Sequence, residues 1–204
     1  MTKIILTRHG HVEGIMPERF RGRADLRLTE RGLEEARAAS RRIGATWQVA
    51  AVYTSPMSRS LRTAEIIAAP FGLDAQPIDT IIDIDYGEWQ GLTPDEARAR
   101  WPRKLALWHR RPDLVRIPGG ESLQDVLARA ADALRAMVDR HPEDVVVLVG
   151  HDSINRVILL HALELPLSRY WRLAQAPCAI NQIDAANDCF FIRSVNDTCH
   201  LGGS

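Results

Sequence analysis

The run Val145-Val146-Val147-Leu148-Val149 constrains the fold of this chain more than any other segment. Its unbroken apolar, mostly β-branched residues leave no polar face for water, so it predicts a strand covered on both sides. Such a strand belongs in a mostly parallel sheet with helices packed above and below it. The rest of the chain supplies the other layers. Residues 3–7 and 50–53 read as strands. Residues 29–44 read as a helix capped by Thr29 and stopped at Gly44. Residues 56–69 read as a second helix, opened by Pro56 and closed by Pro70 and Gly72.

Farther along, Thr93-Pro94-Asp95-Glu96 combines an N-cap, a proline at the first helical position and a glutamate placed for a capping box, so a helix begins there. Ser122 opens an amphipathic helix carrying Leu123, Leu127, Ala130, Leu134 and Met137, which ends near His141-Pro142. Residues 152–163 read as a helix. Residues 178–184 and 189–195 read as strands joined by a turn at Ala186-Asn187-Asp188, and the tail from Leu201 to Ser204 as disordered. The alternation predicts an α/β fold: a three-layer α/β/α sandwich with a mostly parallel central sheet, as one domain over residues 1–204.

Composition narrows the function classes. The 204 residues are 46% hydrophobic and 25% charged, as in soluble globular proteins and unlike disordered ones. Twenty-six Lys and Arg offset 26 Asp and Glu, so the basic excess of a nucleic-acid or membrane-surface binder is missing. Cys178, Cys189 and Cys199 show no Cys-x-x-Cys spacing and read as reduced thiols. The apolar run Ile4-Ile5-Leu6 is too short for a signal-peptide core. A cytoplasmic protein is expected, with neither nucleic acid nor membrane as partner. Its sheet edges leave a homodimer open.

Three strand ends carry chemistry. Arg8-His9-Gly10 follows the first strand, Ser55-Pro56 with Arg59 follows the second, and Gly150-His151-Asp152 follows the apolar run. In parallel sheets ligands bind beyond the carboxyl ends of the strands, so these segments are expected to meet. Arg59 falls in the first turn of a helix, where backbone N–H groups and the helix dipole already favour an anion. Its planar fork suits two phosphate oxygens. Arg62 reads more simply as a solvated helix arginine, with substrate contact as the alternative. Two histidines and two arginines around one crevice need an anion, and phosphate is the natural one.

The combination Thr7-Arg8-His9-Gly10, Ser55-Pro56-x-x-Arg59-x-x-x-Thr63-Ala64 and Gly150-His151 resembles the histidine phosphatase superfamily, the phosphoglycerate-mutase-like fold. The segments 22–29, Tyr86-Gly87-Glu88-Trp89-Gln90-Gly91 and Pro118-Gly119-Gly120-Glu121-Ser122 resemble it too, in the same order. The resemblance implies a phosphohistidine mechanism needing no metal or cofactor, acting on a small phosphorylated metabolite. It makes His9 the nucleophile and puts Arg8, Arg59 and His151 in the phosphate pocket. Asp83 becomes the acid/base carboxylate, with Asp85 as the fallback; many relatives have glutamate there. His11 and Ile15 stand where the family often has an acidic residue and an asparagine. His11, Arg62 and Glu121 are candidate substrate contacts.

The chemistry is coherent on physical grounds. Imidazole attacks phosphorus only when neutral, and Arg8, Arg59 and a protonated His151 would hold His9 in that form. The same cations would stabilise charge on the transferring phosphoryl oxygens. Mutases of the family shield the phosphohistidine with a longer insertion, whereas here a short cap at about 92–121 implies an open site where water completes the reaction. A phosphatase is therefore expected ahead of a cofactor-dependent phosphoglycerate mutase. Metal-dependent hydrolysis through His9, His11, His151 and Asp152 would leave the arginines incidental. A non-catalytic phosphate-ligand binder is the remaining class. Within the cap, residues 98–116 are locally basic and contain Trp101 and Trp108. They read either as a lid contacting a second acidic part of the substrate or as a solvated face with inward tryptophans.

Overall fold

The computed structural model describes residues 1–15, 18–186 and 189–202. In chain order the elements are β1 (Thr2–Arg8), α1 (Glu30–Thr46), β2 (Val49–Thr54), α2 (Ser58–Ala68), β3 (Ala75–Pro77), α3 (Pro94–Arg100) and α4 (Pro102–Arg110), then α5 (Leu123–Arg140), β4 (Val145–Gly150), α6 (Asp152–Ala162), β5 (Ile180–Ala186) and β6 (Cys189–Asp197). The strands form one sheet in the order β3-β2-β4-β1-β5-β6. The first four are mutually parallel, and β5 and β6 add an antiparallel pair at one edge.

β4 lies between β1 and β2, the interior place that its apolar sequence requires. Val146 and Leu148 join Ile4, Leu6, Ala51 and Tyr53 in a core covered by α5, α6 and the 92–121 segment. Val147 and Val149 join Ile5 and Val52 in a second core beneath α1 and α2. Each such buried aliphatic side chain contributes roughly 1.5–3 kcal/mol of transfer free energy. The two cores make the expected three layers.

Side-chain capping explains three of the six α-helix starts among the described residues. Thr29 accepts from the Gly32 N–H at 3.1 Å, and capping boxes close on Thr93 with Glu96 and on Ser122 with Asp125. Several boundaries differ from expectation, and four have a visible cause. α1 runs past Gly44 to Thr46, because Trp47 packs on the core and its N–H closes the last turn on Ile43. α2 starts at Ser58 rather than at Pro56, since the Ser55 hydroxyl first takes the Met57 N–H in a turn. β5 starts at Ile180, because Cys178 has a positive φ of 53° and donates to Arg8 O at 3.1 Å. Leu201 is ordered in a short 3-10 turn that His200 ties to the Cys178 carbonyl at 3.0 Å. The edge strand β3, short and ending in proline, has no sequence signal of its own. Asn187 and Asp188 of the expected turn, and Gly203 and Ser204 of the tail, lie outside the described residues. Among the described residues no helix is long and apolar enough to cross a membrane.

Candidate active site

The ends of β1, β2 and β4 share one register: Arg8 stands beside Gly150, and Thr54 beside Val149. Beyond them the ladder continues for one residue, with the His9 N–H on Gly150 O and the Ser55 N–H on Val149 O, both at 3.1 Å. The loops after all three strands therefore leave the sheet side by side. Gly10 lets the first of them press against the start of α1, since a Cβ there would lie 2.3 Å from Gly32 O.

His9 is 1% exposed. Its Nδ1 lies 2.7 Å from Gly10 O, and a carbonyl can only accept, so Nδ1 carries the proton. Arg59 Nε–H donates to His9 Nε2 at 3.1 Å, which leaves Nε2 as the unprotonated nitrogen. Burial, then His151, Arg59 and Arg8, hold the His9 pKa well below the ordinary histidine value.

Arg59 is fully buried near the start of α2. Besides His9, it donates to Ala24 O at 2.8 Å, Gly22 O at 2.6 Å and Asp83 Oδ2 at 3.0 Å. Asp83 is 7% exposed, and its other oxygen takes the Ser153 hydroxyl and the Ile84 N–H. His151 completes the group. Its ring centroid is 5.2 Å from that of His9, its Nε2 pairs with Ser55 Oγ at 2.8 Å, and its Nδ1 lies 3.6 Å from Asp83 Oδ2. Arg8 donates to Gln175 O and stands 3.8 Å from Asp152.

His151 departs from one expectation. Burial, then Arg59, Arg8 and Arg129, push its pKa well below the ordinary value, so the ring is neutral in the free protein rather than protonated. Among the described residues, His151 Nδ1 and Arg8 Nε are buried without a hydrogen-bond partner. An anion bound among these side chains would supply acceptors.

Four further sequence candidates lie outside this group. His11 turns toward α1, with Nδ1 3.0 Å from Thr29 Oγ1 and its N–H on Glu35. Arg62 is exposed and pairs with Glu65 at 3.0 Å, the solvated reading. Glu121 accepts from both Arg129 Nε and Nη2 at 3.1 Å and from the Asp85 N–H at 2.9 Å. Asp85 is held by Arg23 at 3.4 Å and by the Gly87 N–H. Glu121, Arg129, Asp85 and Arg23 thus scaffold the loop that presents Asp83, and Arg129 also donates to Thr80, Ile82 and Asp83 carbonyls.

A cleft of about 100 Å3 opens beside Asp83 and Ser153. Arg21, Tyr86 and Arg156 line it, with His109 and Trp171 at its outer wall. Arg21, Ser153, Arg129 and Arg156 belong to none of the motifs that mark the site in the sequence. Ser153 and Arg156 follow His151 on a helix face at the strand end, the one signal that could have marked them. In the cap, Trp108 is fully buried and Trp101 packs against the core, as the inward-tryptophan reading has it. Arg98, Arg111 and Arg116 pair with Asp95, Asp113 and Asp125. Among the described residues no group of three or more His, Cys, Asp or Glu side chains is arranged to hold a metal ion.

Known proteins resemble this chain along nearly its whole length. Residues 4–198 match the histidine phosphatase superfamily (branch 1). Phosphoserine phosphatase 1 of Hydrogenobacter thermophilus is 32% identical over 99% of this chain and 95% of its own. A 2,3-bisphosphoglycerate-dependent phosphoglycerate mutase of Methylobacterium sp. is 36% identical over 77% of this chain and 79% of its own. The Bacillus stearothermophilus YhfR structure superposes with a TM-score of 0.93 at 29% identity, covering 98% of this chain and 100% of that one.

Proposed function

The chain belongs to the histidine phosphatase superfamily (branch 1), and we propose that it hydrolyses a small phosphorylated metabolite through a phosphohistidine on His9. The observation that carries this reading is the tautomer of His9. Gly10 O holds the proton on Nδ1, so Nε2 offers its lone pair in a pocket of cations.

In the first step His9 Nε2 attacks phosphorus, the bond to the leaving oxygen breaks, and Asp83 gives that oxygen a proton. Arg8 and Arg59 neutralise the oxygens of the transferring phosphoryl group, and His151 adds a donor once the ring gains a proton. In the second step Asp83 takes a proton from water, which attacks phosphorus and breaks the N–P bond. Inorganic phosphate leaves and neutral His9 returns. Arg59 must trade its bond to His9 Nε2 for a phosphoryl oxygen as substrate enters.

The phosphoserine phosphatase relative and the short cap support hydrolysis. The phosphoglycerate mutase relative supports a second reading, in which the phosphoryl group passes to another hydroxyl instead of water. The metal reading fits the geometry poorly, because Arg59 donates directly into His9 Nε2 and His11 points elsewhere. Cys189 and Cys199 are exposed free thiols, which supports a reducing compartment and hence the cytoplasm.

Phosphate release from phenyl phosphate in excess chelator, with wild type beside His9→Ala, tests the proposal. Release by wild type alone is expected. Activity lost with chelator would overturn the metal-free reading. Isomerised phosphoglycerate without phosphate release would establish the mutase.

A further inference from the structure

Beyond the cleft, on the far side of His109 and Trp171, lies a groove of about 480 Å3 lined by Arg110, Arg111, Arg169, Arg172 and Ser168. Among the described residues no carboxylate lines it. Arg111 is occupied by Asp113, whose oxygens take its Nε and Nη2 at 3.0 and 2.8 Å. Arg110, Arg169 and Arg172 form no ion pair among the described residues, and all are exposed. Arg110 ends α4, where a cation offsets the helix dipole. Arg169 and Arg172 stand in the last turn of the short 3-10 segment Leu167–Arg172, so two helix ends bring their cations into one groove. Like charges crowded in one groove repel, and an anion removes that repulsion.

The groove and the cleft share a wall. His109 and Trp171 line both. Trp171 is a fixed surface: its Nε1 donates to Trp108 O at 2.8 Å, and the Arg156 guanidinium lies 5.2 Å from its ring centre. A flat spacer can cross this ring from one cavity to the other.

We propose that the groove is a second anion subsite, and that the substrate is a phosphomonoester whose spacer crosses Trp171 and ends in a carboxylate or second phosphate held by Arg169, Arg172 and Arg110. The inference rests on the hydrolytic reading of the His9 site for which end of the molecule reacts, and on the groove's own charge for the rest.

Three compounds on one scaffold test it: phenyl phosphate, 4-carboxyphenyl phosphate and 1,4-phenylene bisphosphate. The protein is wild type and the double variant Arg169→Ala/Arg172→Ala, whose exposed positions leave the fold intact, checked by Tm. The variant should raise KM roughly tenfold for the compounds with a second anion and leave phenyl phosphate within about twofold. The difference should shrink in 0.5 M salt through screening. A loss on the bisphosphate alone assigns a distal phosphate; a loss on both assigns any anion. Equal changes on all three compounds, or none on the two with a second anion, would overturn the subsite. Calorimetric binding of the same compounds in a His9→Ala background reads the groove without turnover. A protein that shows the binding difference but hydrolyses none of them keeps the groove and loses the hydrolytic reading.

Discussion

The Arg59 guanidinium bridges His9 and Asp83, with Nε 3.1 Å from His9 Nε2 and Nη2 3.0 Å from Asp83 Oδ2. The nucleophile and the proton donor of the proposed reaction are thus aligned by one planar cation before substrate arrives. The same group fastens the 22–24 loop through Gly22 O and Ala24 O.

Arg59→Lys keeps the charge but cannot span the two groups. Its kcat/KM should fall by about 10²- to 10³-fold, the scale of losing a transition-state donor. The orphaned Gly22 and Ala24 carbonyls should also lower stability by roughly 1–3 kcal/mol. Steady-state kinetics and thermal unfolding on one preparation read both effects. Near-wild-type turnover would remove Arg59 from the chemistry.

Asp83→Asn and Asp85→Asn separate the two carboxylates of the 83–85 loop. Loss of a general acid costs about 10²- to 10⁴-fold, so Asp83→Asn should show that drop with phenyl phosphate. The drop in kcat/KM, which reports the first step alone, should be smaller with 4-nitrophenyl phosphate, whose leaving group needs less protonation. Asp85→Asn should lower Tm by loosening Arg23 and Gly87 while leaving kcat within a few-fold. The reverse pattern would move the acid/base role to Asp85.

Ser153 orients Asp83. Its hydroxyl and the Ile84 N–H occupy Oδ1, which leaves Oδ2 toward Arg59 and His151. Ser153→Ala should reduce kcat roughly tenfold, on the scale of a hydrogen bond to a charged group, and shift the pH–rate profile with KM little changed. Ser153→Thr should restore part of the loss. An unchanged kcat and profile in Ser153→Ala would make the bond merely structural.

How much of this was legible in the sequence follows from the range of each interaction. The β4 run and the Thr29, Thr93 and Ser122 caps are local signals, and each produced its element. Arg8, His9, Arg59 and His151 were visible because each sits at the end of a strand or in the first turn of the helix after it. Glu121 shows the limit. Its motif marked it for substrate, but its partner Arg129 lies on α5, and no local pattern reports a pairing made across the fold. Ser153, Arg21 and the Arg169 and Arg172 side of the groove escaped for the same reason, whereas Arg110 and Arg111 lie in the basic 98–116 stretch that the sequence does mark. The charge state of His151 depends on burial and on the four arginines around it, Arg59, Arg8, Arg129 and Arg21, which tertiary packing alone decides.

Acid should destabilise the protein in a defined window. His9 and His151 are held neutral in the folded state, with pKa values well below the ordinary 6.5. The unfolded chain therefore binds more protons below about pH 6.5, and stability falls as pH drops from there toward the folded values. Phosphate, which favours the protonated rings, should offset part of that loss. Denaturant unfolding between pH 7.5 and 5, with and without phosphate, checks the sign; stability that rises on acidification would contradict it.

The central claim is that a phosphoryl group passes through His9, and direct capture of the intermediate tests it most closely. Wild type and Asp83→Asn are mixed with 4-nitrophenyl phosphate, quenched within a turnover in alkaline denaturant, and mapped by mass spectrometry. The account predicts an acid-labile, base-stable phosphate on the peptide bearing His9, more abundant in Asp83→Asn and missing in His9→Ala. Turnover with phosphate on another residue, or with no phosphoprotein at a time when the account requires one, would contradict it.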